Sequence, residues 1–404
     1  MKILYKSIKI NKRKLIKDLP SESYLKNSVL NLKAKEFHCY RSKIYKYKPK
    51  YSIMTIIYDL KDEEIFFKNL NSITNQTLNN IELIIMSNGA KLNLLEKISK
   101  FLGNNFNVSI IINPIPEFDF KKFKLFDPVI GLANLGLLLA KGELFTWLSW
   151  DDEINSCFCE EIYKTYKETS CLCLAPIPKA IYINSNNIKA NSSILEKSFE
   201  NLPNVIDSKE IIKSKIGDSK RRIFLSPGEL LAYKRSFLIS KQGIDFDIDL
   251  SQYIKVAAGE KVAIVRKANL FWRYHKNQAH NLTLFDFSEI HRIKEIFHAT
   301  NLYQVYENLY GLSWAEKIRK YYEYKRVVVH LTNNIFNNFK NKEFKKKDFL
   351  LNMINEVGIK ISLLVIVSIF KRFFKKFFNL ILYIIKNPHK IFKITKFLNK
   401  FLTS

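Results

Sequence analysis

Cysteine is scarce in this chain. Five among 404 residues (Cys39, Cys157, Cys159, Cys171 and Cys173) do not make a disulfide scaffold. Long apolar runs are missing too. No stretch reaches 18 uninterrupted apolar residues, so no spanning helix is expected. The start, Met1-Lys2-Ile3-Leu4-Tyr5-Lys6, is basic but lacks the apolar core of a leader. A reducing cytoplasm is the compartment these features lead one to expect. Acidic residues are few, 38 against 66 Lys and Arg, for a net charge of +28. The deficit is concentrated at the ends: residues 1–50 hold 15 basic and 3 acidic residues, and residues 361–404 hold nine basic and none acidic. No internal repeat is present. An apolar content of 47% excludes global disorder. What remains is a mildly basic globular body between two cationic ends.

From Tyr51 the pattern alternates short apolar runs with amphipathic stretches. Ser52–Tyr58, Ile81–Met86, Val108–Ile112 and Phe145–Ser149 read as strands buried on both faces. Asp62–Ile73, Leu92–Leu102 and Ile130–Lys141 read as the helices between them. That order predicts an α/β fold with a mostly parallel sheet and ligands at the carboxyl ends of its strands. Further strand or turn signals lie at Leu172–Pro176, Phe224–Tyr233 and Val262–Val265. The polar stretch 184–220 reads as a loop or lid, and Asp249–Ala258 as a helix. After about residue 285 the chain becomes largely helical.

Chemistry-bearing residues are few. Asp151 and Asp152 stand at the end of a buried strand, where two charges need partners. A hard divalent cation is one such partner. The alternative is that Asp152 caps a helix over Asp152–Lys167 while Asp151 is solvated. The Cys157/Cys159 and Cys171/Cys173 pairs invite a zinc reading. The first pair, however, sits on a predicted helix, where positions i and i+2 point apart, so buried apolar thiols are expected.

Four blocks in order carry a resemblance. They are Ser52–Asp59; Leu70-Asn71-Ser72-Ile73-Thr74-Asn75-Gln76-Thr77; Ile81–Ala90; and Ala133-Asn134-Leu135-Gly136 through Ala140-Lys141-Gly142-Glu143 to Trp147-Leu148-Ser149-Trp150-Asp151-Asp152. Over residues 51–152 the chain resembles glycosyltransferase family 2. The resemblance implies a GT-A fold (Rossmann-like, mostly parallel, flanked by helices) and transfer of a sugar from a nucleotide-sugar, UDP-linked by preference, usually with inversion. By position it implies that Ile57, Tyr58 and Asp59 line the base and ribose pocket, that Asn88 reads the base and that Asn134 holds the nucleotide end. Trp150 and Asp151 would flank the diphosphate, and Asp151 would bind Mn2+ or Mg2+. Ser149 stands where the family's Asp-x-Asp motif has its first Asp, Ser87-Asn88 replace an Asp-Asp pair, and Ala133 replaces an Arg. With one anionic ligand fewer, metal affinity is expected to fall.

In the second half, Phe246–Gly259 resembles the family's acidic segment. It puts Asp247 at the catalytic base, with Asp249 second and Asp245 third. A carboxylate there would take the acceptor hydroxyl proton as it attacks the anomeric carbon. The alternative is that Asp247 or Asp249 caps a helix. Trp272-Arg273-Tyr274-His275 resembles the ending that closes over the diphosphate. Arg273 would neutralise phosphate, and His275 would ligate metal or donate to phosphate; a surface turn is the plainer reading. His280 is expected to be incidental. In 361–404 lysines recur opposite Phe, Ile and Leu, as in helices lying on an anionic membrane, unless that apolar face packs on the body or a partner.

The expected organisation is a basic extension (1–50), a GT-A domain (51–285, nucleotide half 51–152, acceptor half 153–285), a helical region (286–358) and a basic amphipathic tail (359–404). Two functions follow. One is a glycosyltransferase at the inner face of the cell membrane, adding sugar to a glycan or lipid-linked acceptor of a capsule or lipopolysaccharide type. The other is a catalytically inactive relative that binds or scaffolds. Specific nucleic-acid binding has no motif to support it.

Overall fold

The computed structural model describes residues 5–21, 23–42, 48–60, 62–103, 106–117, 128–182, 199, 202–216, 231–241, 243–244, 261–274, 303–304, 307–308, 311–320, 323–324, 327–328, 331–332, 355, 358–371 and 374. They divide into two units, one holding the sheet and the residues up to 315, the other the helical residues beyond.

The chain begins with β1 (Tyr5–Asn11), α1 (Lys12–Leu15), α2 (Tyr24–Leu30) and β2 (Glu36–Ser42). A repeating α/β order follows: β3 (Tyr51–Ile57), α3 (Glu63–Thr74), β4 (Ile81–Ser87), α4 (Leu92–Leu102), β5 (Asn107–Ile112), α5 (Pro128–Leu139) and β6 (Leu144–Trp147). Then come β7 (Glu153–Ile154), α6 (Phe158–Thr169), β8 (Cys173–Tyr182), β9 (Val205–Asp207), β10 (Ala232–Lys234) and β11 (Lys261–Tyr274).

Among the described residues the strands form one sheet ordered β1-β2-β5-β4-β3-β6-β10-β8-β11-β7, with β9 on β11. The run β5-β4-β3-β6 is parallel. Every residue of β3 and β4 is buried, as strands covered on both faces require. On one face α3 and α4 supply Phe66, Leu70, Ile73, Leu94, Leu95 and Ile98 to a core with Ile53, Leu83 and Ile85. On the other, α5 packs Leu132, Leu135 and Leu137 against Met54, Ile84 and Met86. Each such Ile or Leu contributes about 2 kcal/mol by leaving water. A Cβ on Gly136 would fall inside the Met54 thioether, so glycine is what lets α5 lie this close to β3. From β3 the chain builds outward to β4 and β5, then crosses to β6 on β3's other side. The crevice at this reversal is where open α/β sheets bind ligands.

The structure departs from the sequence expectations in four places. Within the basic extension, residues 5–42 form part of the sheet: β1 pairs with β2 and β2 with β5, and Leu25, Val29 and Phe37 are wholly buried. No helix starts at Asp152. Glu153–Ile154 pairs with Phe271 and Leu270 of β11, and the helix begins at Phe158. Trp272, Arg273 and Tyr274 lie within the 14-residue β11 rather than after a turn. The supposed loop 184–220 contains β9 and a helix, Ser208–Ile216, which bury Ile206, Ile211 and Ile212. The stretches 217–230 and 245–260, and most of the tail, lie outside the described residues.

Candidate functional site

Three strand ends meet at the crevice. β3 ends in Tyr58 and Asp59, β4 in Asn88, and β6 in the turn Ser149–Asp152. This turn is closed by the Asp152 amide donating to the Ser149 carbonyl (3.2 Å). From below, the Asn69 amide of α3 donates to the carbonyls of Ser149 (3.0 Å) and Asp152 (2.6 Å). From the side, Arg273 of β11 donates its backbone N–H to the Asp152 carboxylate (2.9 Å) and its Nε to the Asp151 carbonyl (2.9 Å). Its Nη2 is ion-paired with Glu153. The motif turn is therefore strapped from both neighbours.

Above the turn, the Trp150 indole N–H donates to the Tyr58 hydroxyl (3.1 Å), and the two rings meet edge to face with centroids 6.0 Å apart. Burial pushes the Tyr58 hydroxyl pKa above its ordinary value; the Trp150 hydrogen bond pulls it down, and the Asp151 charge adds to the rise. The structure thus gathers Tyr58, Trp150 and Asp151. Asp59 lies at the rim in an ion pair with Lys91 (3.2 Å). Ile57 is wholly buried, and its carbonyl accepts from the Asn88 amide N–H (2.7 Å).

Three residues have other work than the resemblance implies. Asn88 is buried; its Nδ2 donates to the Glu117 carbonyl (2.9 Å), while its Oδ1 accepts from the Glu117 N–H (2.8 Å) and from Asn113 Nδ2 (3.3 Å). It pins the chain after β5. Glu117 in turn reaches Lys33 through its carboxylate. Asn134 is enclosed in α5. Its Nδ2 donates to Ser28 Oγ (2.8 Å) and the Ile244 carbonyl (2.7 Å), and its Oδ1 accepts from the Ile244 N–H (2.7 Å). Those bonds run to α2 and to residue 244, not to the strand ends. Gly243 beside it has φ +76°, a conformation that favours glycine. Arg273 is buried with its fork spent on the turn, so it positions Asp151 and Glu153.

Asp247, Asp249, Asp245, His275 and His280 lie outside the described residues. Among the described residues no group of three His, Cys, Asp or Glu could hold a metal. The Asp152 carboxylate takes a backbone N–H and Glu153 takes Arg273, and the Asp151 charge bears on Tyr58. A magnesium-like ion needs only one or two carboxylates when diphosphate oxygens complete its shell, so a single Asp151 fits that donor set. The cysteines are free thiols, four of them buried, and burial raises the Cys159 and Cys173 pKa values.

Two supports escaped the sequence reading. Asn69 falls at a core position of α3, among Ile65, Phe66, Leu70 and Ile73, and a polar residue on that apolar face was the signal. Gln76 donates to the Asn155 carbonyl (2.8 Å) and accepts from the Cys159 N–H (2.9 Å). It ties the end of α3 to the start of α6.

No family model matches the sequence, and no curated protein matches it. Among solved structures, S. aureus TarS 1-349 in complex with UDP-GlcNAc is similar with a TM-score of 0.54 and 14% identity, over 78% of this chain and 84% of that one. The same fragment without that ligand gives 0.52 and 13%, over 78% and 83%. The longer TarS structure gives 0.51 and 14%, and there this chain covers half of its length. At such identity the likeness speaks for architecture: the chain has the α/β fold of GT-A glycosyltransferases.

Proposed function

We propose that this protein is a glycosyltransferase that moves a sugar from a nucleotide-sugar to a glycan or lipid-linked acceptor. The observation that carries the reading is the meeting of Tyr58, Trp150 and Asp151 at the carboxyl ends of β3 and β6, on a turn strapped by Asn69 and Arg273. An aromatic pair offers a flat apolar face to a base, and the Asp151 carboxylate, whose charge bears on Tyr58, would face the diphosphate through a bound cation. TarS is seen with UDP-GlcNAc, which favours a UDP-sugar. Asp151 would hold Mn2+ or Mg2+ together with the diphosphate, and His275 is a further candidate ligand. When bound, such an ion offsets the negative charge that grows on the leaving diphosphate.

The chain's own part is to hold donor and acceptor in line and to take a proton. Asp247, with Asp249 second, would accept the hydroxyl proton of the acceptor. The acceptor oxygen then bonds to the anomeric carbon from the face opposite the leaving diphosphate, inverting the centre. A turn held by these hydrogen bonds would keep Trp150 and Asp151 in place, and preorganisation of that kind is where such a site gains rate.

Membrane attachment belongs to the same proposal. In the helical residues 358–371, Ile361 and Val365 are buried, whereas Ile359, Leu363, Leu364, Val367 and Phe370 are exposed, as is Phe374. Exposed apolar residues at helical spacing, leading into a lysine-rich sequence, suit the surface of an anionic bilayer. There the enzyme would meet a lipid-linked acceptor of the capsule or lipopolysaccharide type at the inner face. Among the described residues no helix is long and apolar enough to cross a membrane.

A second reading, an inactive binding subunit, draws on Ser149 in place of an acid and on Asn88, whose amide is committed to Glu117. Turnover decides between them. A panel of nucleotide-sugars is incubated with Mn2+ and the wild type, Asp151→Ala or Asp247→Asn. Hydrolysis or transfer by the wild type, lost in both variants, supports the enzyme; binding without turnover, with acceptors supplied, supports the subunit.

A further inference from the structure

At the other end of the sheet from the strand-end residues lies a cavity of about 470 Å³, lined by Lys48, Lys50, Lys141, Lys234, Arg235 and Glu143. Its position follows from topology. Lys50 precedes β3, Glu143 precedes β6, and Lys234 ends the antiparallel β10, opposite Leu144. Tyr58 is eight residues further along β3, roughly 25 Å away at strand rise.

The cavity's charge is one-sided. Glu143, the only lining carboxylate among the described residues, is taken by Lys167 (2.9 Å) and by the Tyr163 hydroxyl (3.2 Å). Behind the wall, the buried Glu82 accepts from Ser52 Oγ (2.5 Å) and from the backbone N–H groups of Lys141 (2.5 Å) and Gly142 (3.1 Å). Among the described residues, five cations and one carboxylate, Glu143, line the cavity. Arg235 is half-buried, with its Nε on the Gly142 carbonyl (3.2 Å). Burial lowers its pKa, against the pull of Glu82. Like charges drawn around a concave wall repel one another and focus a positive field into the space between them. A single monoanion would offset only a fraction of that charge.

We propose that this cavity is a second anion site, built for molecules that carry two or more phosphate groups, and separate from the nucleotide-sugar site. Lysine ammonium groups and one arginine fork are suited to phosphate oxygens. The Ser236 hydroxyl, also in the lining, adds a neutral donor. A concave site of this volume fits a short run of phosphates. Those phosphates could be free, esterified along a glycan, or borne by lipid headgroups.

The test uses the full chain with saturating UMP present, a monophosphate that occupies a nucleotide site and lacks the second phosphate this cavity is proposed to need. Sodium tripolyphosphate is titrated calorimetrically into the wild type, Lys50→Glu/Lys234→Glu and the milder Lys48→Gln/Lys50→Gln. Phosphatidylglycerol vesicles are co-sedimented with the same proteins, each also carrying Leu363→Gln and Val367→Gln so that tail attachment does not mask the cavity. Saturable tripolyphosphate binding is expected, weakened more than about tenfold by the charge reversal and about threefold or more by the neutral variant. The neutral variant alters only exposed side chains, so it answers even if the reversal does not fold. Loss of vesicle binding in the variants, with tripolyphosphate inert, would support the site with headgroups as its source. Binding of both probes independent of Lys48, Lys50 and Lys234, or no binding of either, would overturn the proposal. Direct UMP titration of the same samples, without tripolyphosphate, reports on the nucleotide site separately, so failure of one reading leaves the other measurable.

Discussion

Replacing Asn69 by aspartate alters one atom and reverses the chemistry beneath the motif turn. Asn69 is wholly buried, and both of its contacts are donations to carbonyls, those of Ser149 and Asp152. Its Oδ1 has no hydrogen-bond partner. Asn69→Ala removes two bonds, each worth about 1 kcal/mol net, and frees one unsatisfied oxygen worth about 1 kcal/mol. A small cavity adds about 1 kcal/mol, so the net loss is about 2 kcal/mol. Asn69→Asp instead sets a carboxylate against two carbonyl oxygens in a dry site, a loss nearer about 3–5 kcal/mol. At roughly 2–4 °C per kcal/mol, the alanine variant should melt about 4–8 °C below the wild type, and the aspartate variant lower still. The aspartate penalty must also depend on pH. Its folded pKa would be raised, so the deficit grows as pH rises above about 4 and shrinks at acid pH, where a protonated carboxyl can donate again. Thermal unfolding from pH 4 to 8 reads this directly. An Asn69→Asp variant as stable as Asn69→Ala across that range would refute the strap.

Other expectations concern different parts of the molecule. Arg273→Lys keeps the charge but loses the fork that reaches both Asp151 and Glu153; UDP affinity should fall about tenfold, with a far-ultraviolet spectrum unchanged. Glu82→Ala strands the N–H groups of Lys141 and Gly142 at the base of β4, and about 3 kcal/mol should be lost in urea unfolding. Burial pushes the Tyr5 hydroxyl pKa up to about 12, so its folded form holds a proton that the unfolded chain releases near pH 10. Its contribution is full below pH 10 and is lost as pH rises to about 12; Tyr5→Phe should flatten that alkaline limb. Leu363→Gln with Val367→Gln should reduce co-sedimentation with phosphatidylglycerol vesicles several-fold and leave the melting temperature in place.

The parallel core was legible because it is local. Ile53, Met54, Ile56 and Ile57 make a run that no surface segment would have, and Asp62 with Glu63 and Glu64 marks the start of α3. What escaped depends on distant pairing. In β1 the lysines face solvent at the sheet edge, where charge discourages further strand pairing, so the strand reads as part of a basic arm. Glu153 and Ile154 look like the first turn of a helix until β11, more than a hundred residues later, claims them as a strand. Asn88 shows the limit of matching positions: the side chain sits at the expected strand end, but its amide is spent on the backbone of Glu117, and nothing near residue 88 announces that.

The central claim is that Tyr58, Trp150 and Asp151 form a nucleotide-diphosphate site. Calorimetric titration of UDP, with and without Mn2+, into the wild type, Trp150→Ala and Asp151→Ala tests it most directly. The account predicts binding to the wild type that strengthens with Mn2+. It predicts at least about tenfold weaker binding to Trp150→Ala, and loss of the Mn2+ effect in Asp151→Ala. Absence of UDP binding by the folded wild type, or equal binding by all three proteins, would contradict it.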